Sequence, residues 1–228
     1  MYNSFMSEHI KHSIPNPEIN IDQDLDNLEK KQKERWGKNA SDDLARLGLD
    51  WKLLENKKTL DIGAGSALIG ESAKLKGLDV VSIDNNPESW KKEDGIEIPK
   101  VLYVKADAEN LPFPDETFDL IISHAGPFIN TDIKENLIEM INEAQRVLKN
   151  NGELRFGPGN LNACIFRDEE LFTPIEEEKF SITERVNRIK EKSLQFLQSI
   201  NQNFEQIIDK DNKLYDPKCV GYYKLVKR

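Results

Sequence analysis

The 228-residue chain has few cysteines, no surplus of positive charge and no long apolar run. Cys164 and Cys219 stand far apart and outside any C-x-x-C pattern. Two such cysteines make neither a zinc site nor a disulfide framework, and they read as ordinary small side chains of a reduced, cytoplasmic protein. No metal site is visible; His9 and His12 lie in a polar leader and read as solvated. Acidic residues outnumber basic ones, 41 to 32, for a net charge of −9. That balance argues against a broad grip on nucleic-acid phosphates. No stretch approaches the length of a membrane span, and residues 1–20 lack the apolar core of a signal peptide. What is present, 38% hydrophobic and 32% charged residues, suits one α/β domain with some elaboration.

The pattern along the chain changes near residue 57. Before it, residues 1–20 are polar, with Pro15 and Pro17, and read as loose or docked. Asp22 to Trp36 reads as a charged helix with a narrow apolar stripe, Leu25 and Leu28. A second short helix is expected from Ser41 as N-cap, with Asp42 and Asp43 in its first turn and Leu44 and Leu47 on its apolar side. After it come short apolar strands at Thr59–Ile62, Asp79–Ile83, Val101–Lys105, Leu120–Ser123 and Glu153–Phe156. Helices are expected at 67–76, stopped by Gly77, after Asn85-Asn86 with Pro87 in the first turn, and at about 132–149. Asn150-Asn151-Gly152 reads as a turn. The stretch 158–180 has no period. Ser181 and Glu184 make a capping-box pattern before a helix through Ile200, and Phe204–Ile208 and Tyr222–Val226 read as the last strands.

Strands alternating with helices predict an α/β fold: a mostly parallel sheet in a Rossmann-like three-layer sandwich, capped by the N-terminal helices. The chain divides into a leader with cap helices, 1–56, and a ligand-binding domain, 57–228, with 158–180 as a candidate lid. Ligands of such sheets bind outside the carboxyl ends of the strands.

The unusual residues fall at those ends. Gly63-Ala64-Gly65 follows the first strand, where glycines let the backbone approach a ligand closely. The dinucleotide fingerprint G-x-G-x-x-G would need glycine at position 68, which is Leu68, and no phosphate-loop Gly-Lys-Ser ending is present. Asp61, two residues before the glycines, would repel a pyrophosphate but suits a cation such as the ammonium and sulfonium of S-adenosyl-methionine. Asp84 ends the second strand, followed by Asn85, where a carboxylate accepts ribose hydroxyls. Asp107, followed by Ala108, ends the third and suits an adenine amino group. Ser123 and His124 end the fourth, and Gln145-Arg146-Val147-Leu148 precedes the fifth.

In order and spacing over roughly residues 57–157, these segments resemble the class I S-adenosyl-methionine-dependent methyltransferases. The likeness is to the broad subgroup that includes the ubiquinone and menaquinone C-methyltransferases. The resemblance implies that Gly63, Ala64 and Gly65 cradle the methionine moiety and that Asp61 faces its ammonium. It implies further that Asp84 holds the ribose, Asp107 and the Ala108 backbone hold adenine, and Ser123 and His124 line the methyl-transfer side. Ala67 stands where the family's D-x-G-x-G-x-G pattern has its last glycine. Segments outside 57–157, which choose the acceptor in such enzymes, match no pattern, so the acceptor stays open, with a small molecule favoured.

Each residue also has an ordinary alternative. The glycines make tight turns, Asp84 caps a helix, Asp107 ends a strand in solvent, and Glu176–Glu178 is a solvated charge run. His124 is a candidate general base, or else a pocket-lining or solvated strand end. Trp36 covers the methionine end of the cofactor or packs in the core. Ala125-Gly126-Pro127-Phe128 lacks the polar first residue of the amino-directed DNA and protein methyltransferases. Two other functions compete: a cofactor-binding regulatory module without transfer activity, and a nicotinamide oxidoreductase, disfavoured by Asp61 and Leu68.

Overall fold

A computed structural model of the chain describes residues 21–86, 102–158, 161, 182–207 and 221–228. Seven strands form one sheet: β1 (Thr59–Ile62), β2 (Val80–Asp84), β3 (Tyr103–Lys105), β4 (Phe118–His124), β5 (Leu148–Gly157), β6 (Phe204–Ile207) and β7 (Tyr222–Val226). Their order is β3-β2-β1-β4-β5-β7-β6. The first five pair in parallel, and β7 lies antiparallel to both β5 and β6. The order reverses between β1 and β4, so both carboxyl ends open onto a crevice there.

Side-chain alternation sorts two cores. Leu60, Ile62, Ile121 and Leu154 point to one face, against α6 (Lys134–Val147) and α7 (Ile182–Ile200). Leu120 and Ile122 point to the other, against α2 (Ala40–Arg46) and α4 (Leu68–Leu75). Asp61 pairs in register with Ile122 and so shares the second face. His124, two residues beyond Ile122, shares it as well.

The N-terminal helices cover that face. In α1 (Ile21–Trp36), Leu25 is buried and Leu28 half-buried. Gln32, 3% exposed, fastens α1 to its neighbours. Its amide donates to Leu68 O and Ser72 Oγ, each at 3.2 Å, and its carbonyl accepts from Ala40 N. The N-cap of α2 is Asn39, whose side chain accepts from Asp42 N at 2.7 Å; it is not Ser41. Ser41 is spent on tertiary ties: its hydroxyl donates to Glu29 and accepts from Trp51 Nε1 in the short α3 (Trp51–Leu54). At the other end of α2, Arg155 of β5 donates to the carbonyls of Leu47 and Gly48.

Other expectations shift by a few residues. Asn150-Asn151-Gly152 is part of β5 rather than a free turn: the register against β4 jumps between Phe118 and Leu120, so the segment bulges, with Asn151 at φ +63°. Ile133 lies at the N-cap of α6 and is exposed, outside its apolar stripe. A short α5 (Pro127–Asn130) starts at Pro127, which suits a first helical turn. The expected helix at Pro87 and the Ser181 cap lie outside the described residues, as do Val101, Ile208, His9, His12, both cysteines and, apart from Pro158 and Leu161, the candidate lid. Among the described residues no helix is long and apolar enough to cross a membrane.

Candidate functional site

Two cavities meet at Gly63, Gly65 and Ala125, at the carboxyl ends of β1 and β4. One, of about 430 Å³, runs past Ile83, Asp84, Asn85, Asp107 and Ala108 toward Met140. The other, of about 360 Å³, lies under the cap and is lined by Trp36, Lys38, Asp43, Asp61 and His124 among others. All the sequence-predicted site residues except Ser123 line one or both. Ser123 is buried behind the loop, where its hydroxyl donates to Ile62 O at 2.8 Å and ties β4 to β1. Its place follows from strand parity: Ser123 shares the face of Ile121, opposite to His124.

The glycine turn is shaped by backbone that side chains rarely tolerate. Gly63 has φ +72° and Gly65 φ +53°. A Cβ on Gly63 would strike the Pro127 ring, so the turn after β1 and the start of α5 pack as one unit. Ala67 also adopts a left-handed conformation, φ +55°, at the N-cap of α4. Glycine takes that conformation most readily, which explains the glycine at this point of the D-x-G-x-G-x-G pattern.

Asp84 does more than cap. Its carboxylate accepts from Gly65 N at 3.0 Å and from Asn86 N at 2.9 Å. It thus holds the glycine turn while lining the larger cavity. Tyr103, which sequence reasoning missed, works on the same turn: its hydroxyl donates to Gly65 O at 2.9 Å. Burial and the carboxylates of Asp84 and Asp61 push that phenol well above its ordinary range, so it stays a donor. An aromatic two residues before the end of a strand gives no sequence signal of that role. Asp107 is exposed, with Oδ1 accepting from Glu109 N, and Ala108 beside it is buried. The loop that carries them is pinned by Arg146, which donates to the carbonyls of Leu111 and Phe113 and pairs with Glu143 and Asp115.

The smaller cavity concentrates charge. Asp61 is 3% exposed, and burial, aided by Asp43 and Asp84 and opposed by Lys38, pushes its carboxyl up to about 7. Asp43, 4% exposed, is the second residue that sequence reasoning missed. In the sequence it looks like a helix-dipole acid in the first turn of α2. The cap instead turns it inward, where burial raises its pKa against the pull of Lys38 and Arg46. Lys38 Nζ lies 3.2 Å from Asp43 Oδ2, and His124 Nδ1 lies 3.2 Å from Asp43 Oδ1. Burial, Lys38 and Arg46 hold His124 down at about 3, so the ring is neutral. Asp43 Oδ1 and both ring nitrogens of His124 are buried with no hydrogen bond among the described residues. Leaving such groups unpaired costs about 1–3 kcal/mol each, a cost that a bound polar group offsets. Trp36 lines this cavity, packs against the cap core and carries the Arg35 guanidinium 5.2 Å above its ring.

The arrangement fits a ligand with an adenosine end and a charged amino-acid end. Apolar walls at Ile83, Ala108 and Met140 with a rim carboxylate suit the first. Buried carboxyls beside a lysine suit an ammonium and a carboxylate. Among the described residues the two linings carry Asp43, Asp61, Asp84, Asp107 and Glu109 against Lys38, and Leu68, where a dinucleotide site would have glycine, is buried against the cap.

Residues 60–156 match a family described as a methyltransferase domain. The chain is 38% identical over 112 residues to the ubiquinone/menaquinone biosynthesis C-methyltransferase of Cronobacter sakazakii, covering 43% of this chain and 41% of that one. It is 33% identical over 124 residues to an uncharacterized protein of Methanocaldococcus jannaschii, covering 53% and 50%. The matched segment thus spans half or less of these relatives. Among solved structures, a possible histamine N-methyltransferase of Thermotoga maritima aligns with a TM-score of 0.50 at 18% identity, covering 91% of this chain and 99% of that one. The 1,6-didemethyltoxoflavin-N1-methyltransferase of Burkholderia thailandensis, seen with S-adenosylhomocysteine, aligns with a TM-score of 0.50 at 13% identity, covering 90% and 86%. Both likenesses speak to the fold.

Proposed function

We propose that this chain, whose residues 60–156 match a methyltransferase-domain family, is a class I S-adenosyl-methionine-dependent methyltransferase that transfers the cofactor's methyl group to a small-molecule acceptor in the cytoplasm. The observation that carries the reading is the buried carboxyl of Asp61 beside the glycine turn, opposite in sign to what a nucleotide phosphate requires. Asp61 would face the ammonium, and Lys38 the carboxylate, of the methionine end. Gly63, Ala64 and Gly65 would supply backbone to it. Asp84 with Asn85 would hold the ribose, and Asp107 with Ala108 the adenine.

When bound, the cofactor supplies a sulfonium-activated methyl group; the protein contributes alignment and exclusion of water. His124 lines the smaller cavity and is the candidate catalytic residue. Trp36, Lys38 and Asp43 of the cap line the same cavity, which makes the cap the proposed cover that selects the acceptor.

Calorimetry with S-adenosyl-homocysteine and with NAD tests the reading. Binding of the first and none of the second is expected; the reverse would sink it. Methyl transfer from labelled cofactor on incubation with a metabolite extract separates an enzyme from a regulatory module that binds without transfer.

A further inference from the structure

We propose that Asp43 is a positioning residue for methyl transfer. From the cap it holds the Nδ1 edge of His124, fixes the ring's proton there, and leaves the Nε2 lone pair for an acceptor whose reacting atom carries a proton. The inference rests on the methyl-transfer reading of the site.

Asp43 addresses two partners with two oxygens: Oδ2 meets Lys38 Nζ at 3.2 Å and Oδ1 meets His124 Nδ1 at 3.2 Å. The carboxyl group therefore cannot swing away from the imidazole without giving up the lysine. The Nδ1–Oδ1 contact stands at bonding distance without hydrogen-bond alignment, so the proposed bond needs a turn of the ring about Cβ–Cγ. The charged groups around the ring are Asp43, Lys38 and Arg46 from the cap side, with Asp61 of β1 on the same cavity. Burial and the two cations keep the ring neutral, so it carries one N–H and one lone pair. The carboxylate takes the N–H, and the lone pair is left on Nε2. Nε2 has no partner among the described residues, and His124 lines the cavity that holds Asp61 and the glycine turn.

This assigns the acceptor a chemistry. A hydroxyl, or another nucleophile bearing a proton, can donate to Nε2; a tertiary amine cannot. In the transfer, the bond from the acceptor atom to the methyl carbon forms as the carbon–sulfur bond breaks, and that bond's electron pair stays on sulfur. The acceptor's proton passes to Nε2 and from there to water. Asp43 touches none of the reacting atoms and acts through the imidazole alone.

The chain has three histidines, so a His9→Gln, His12→Gln background leaves one imidazole to observe. Its ¹⁵N spectrum, recorded on the full chain with S-adenosyl-homocysteine, reports the tautomer directly. The expected parent spectrum shows Nδ1 protonated and Nε2 bare at pH 7. In Asp43→Asn, Lys38 keeps the amide oxygen and the amide N–H₂ turns to Nδ1, so the proton is expected to move to Nε2. A proton on Nε2 in the parent, or one that stays on Nδ1 in a folded Asp43→Asn, overturns the proposal. The parent spectrum decides even if that variant fails to fold. Calorimetry on the same parent sample separates the two readings. Failure of S-adenosyl-homocysteine to bind overturns the methyltransferase reading, whereas a wrong tautomer with intact binding overturns only the role of Asp43.

Discussion

The two halves of the site are built in different ways. The larger cavity is a product of local chain order: Asp84, Asp107 and Ala108 sit at or just past strand ends, and each is placed by its own strand and the turn after it. The smaller cavity is assembled from distant segments, with Asp61 and His124 from the sheet and Trp36, Lys38 and Asp43 from the cap. The first half is partly exposed and keeps its carboxylates in contact with backbone N–H groups. The second buries its carboxyls at a cost that only a charged ligand returns. Rim groups can be read one at a time; buried groups depend on each other.

The comparison breaks most sharply at Asp61. Asp61→Asn removes the buried charge and should weaken S-adenosyl-homocysteine binding about 100-fold at pH 8, in line with a lost charge-assisted bond of about 1.5–3 kcal/mol. The same change should stabilise the ligand-free protein. The folded carboxyl titrates at about 7, against 3.8 in the unfolded chain. Between those values the native state binds the extra proton, so its stability falls as pH rises through the window, and the full cost is present above it. At pH 8 the variant's Tm should rise by about 3 °C or more. A thermal melt and a titration check both; a variant that loses stability would show that Asp61 serves packing.

The pH dependence of the parent comes next. Binding an ammonium requires Asp61 ionised, so affinity should fall as pH drops below about 7. The limiting slope is about tenfold per unit, since each pKa unit is worth about 1.4 kcal/mol. Calorimetry in two buffers of different ionisation enthalpy should reveal proton release at pH 6 and little at pH 8.5. A flat profile would mean that the ammonium does not meet this group.

Asp84→Ala sharpens the other half. It removes both the hold on Gly65 and the proposed ribose contact, and affinity should fall about tenfold or more. Unchanged affinity in a folded variant would leave Asp84 with a structural role alone. The smallest effect is expected from Tyr103→Phe, which frees Gly65 O from one neutral hydrogen bond and should cost about 1 kcal/mol, roughly fivefold in binding. A loss as large as that of Asp84→Ala would make Tyr103 a principal determinant of the turn.

How much of this was legible depended on what each residue needs for its place. The βαβ order, the glycine turn and the carboxylates at strand ends follow from local periodicity and from the sign of charge beside the glycines, and those are properties of neighbouring residues. Even the separation of Ser123 from His124 was available, because strand side chains alternate and Ile121 and Ile122 face different cores. The cap was legible as helices but not as part of the site. Asp43 has the ordinary look of a first-turn acid, and Ser41 read as the cap because nothing in the local pattern shows Glu29 and Trp51 competing for its hydroxyl. Sequence thus determined the sheet and the half of the site whose groups sit on consecutive strands. Tertiary structure alone decided which face of α2 turns inward, through Gln32 at one end and Arg155 at the other. Those contacts, between residues 36 and 108 positions apart or joined across two helices, brought Asp43 against His124, and no local propensity encodes a meeting over that distance.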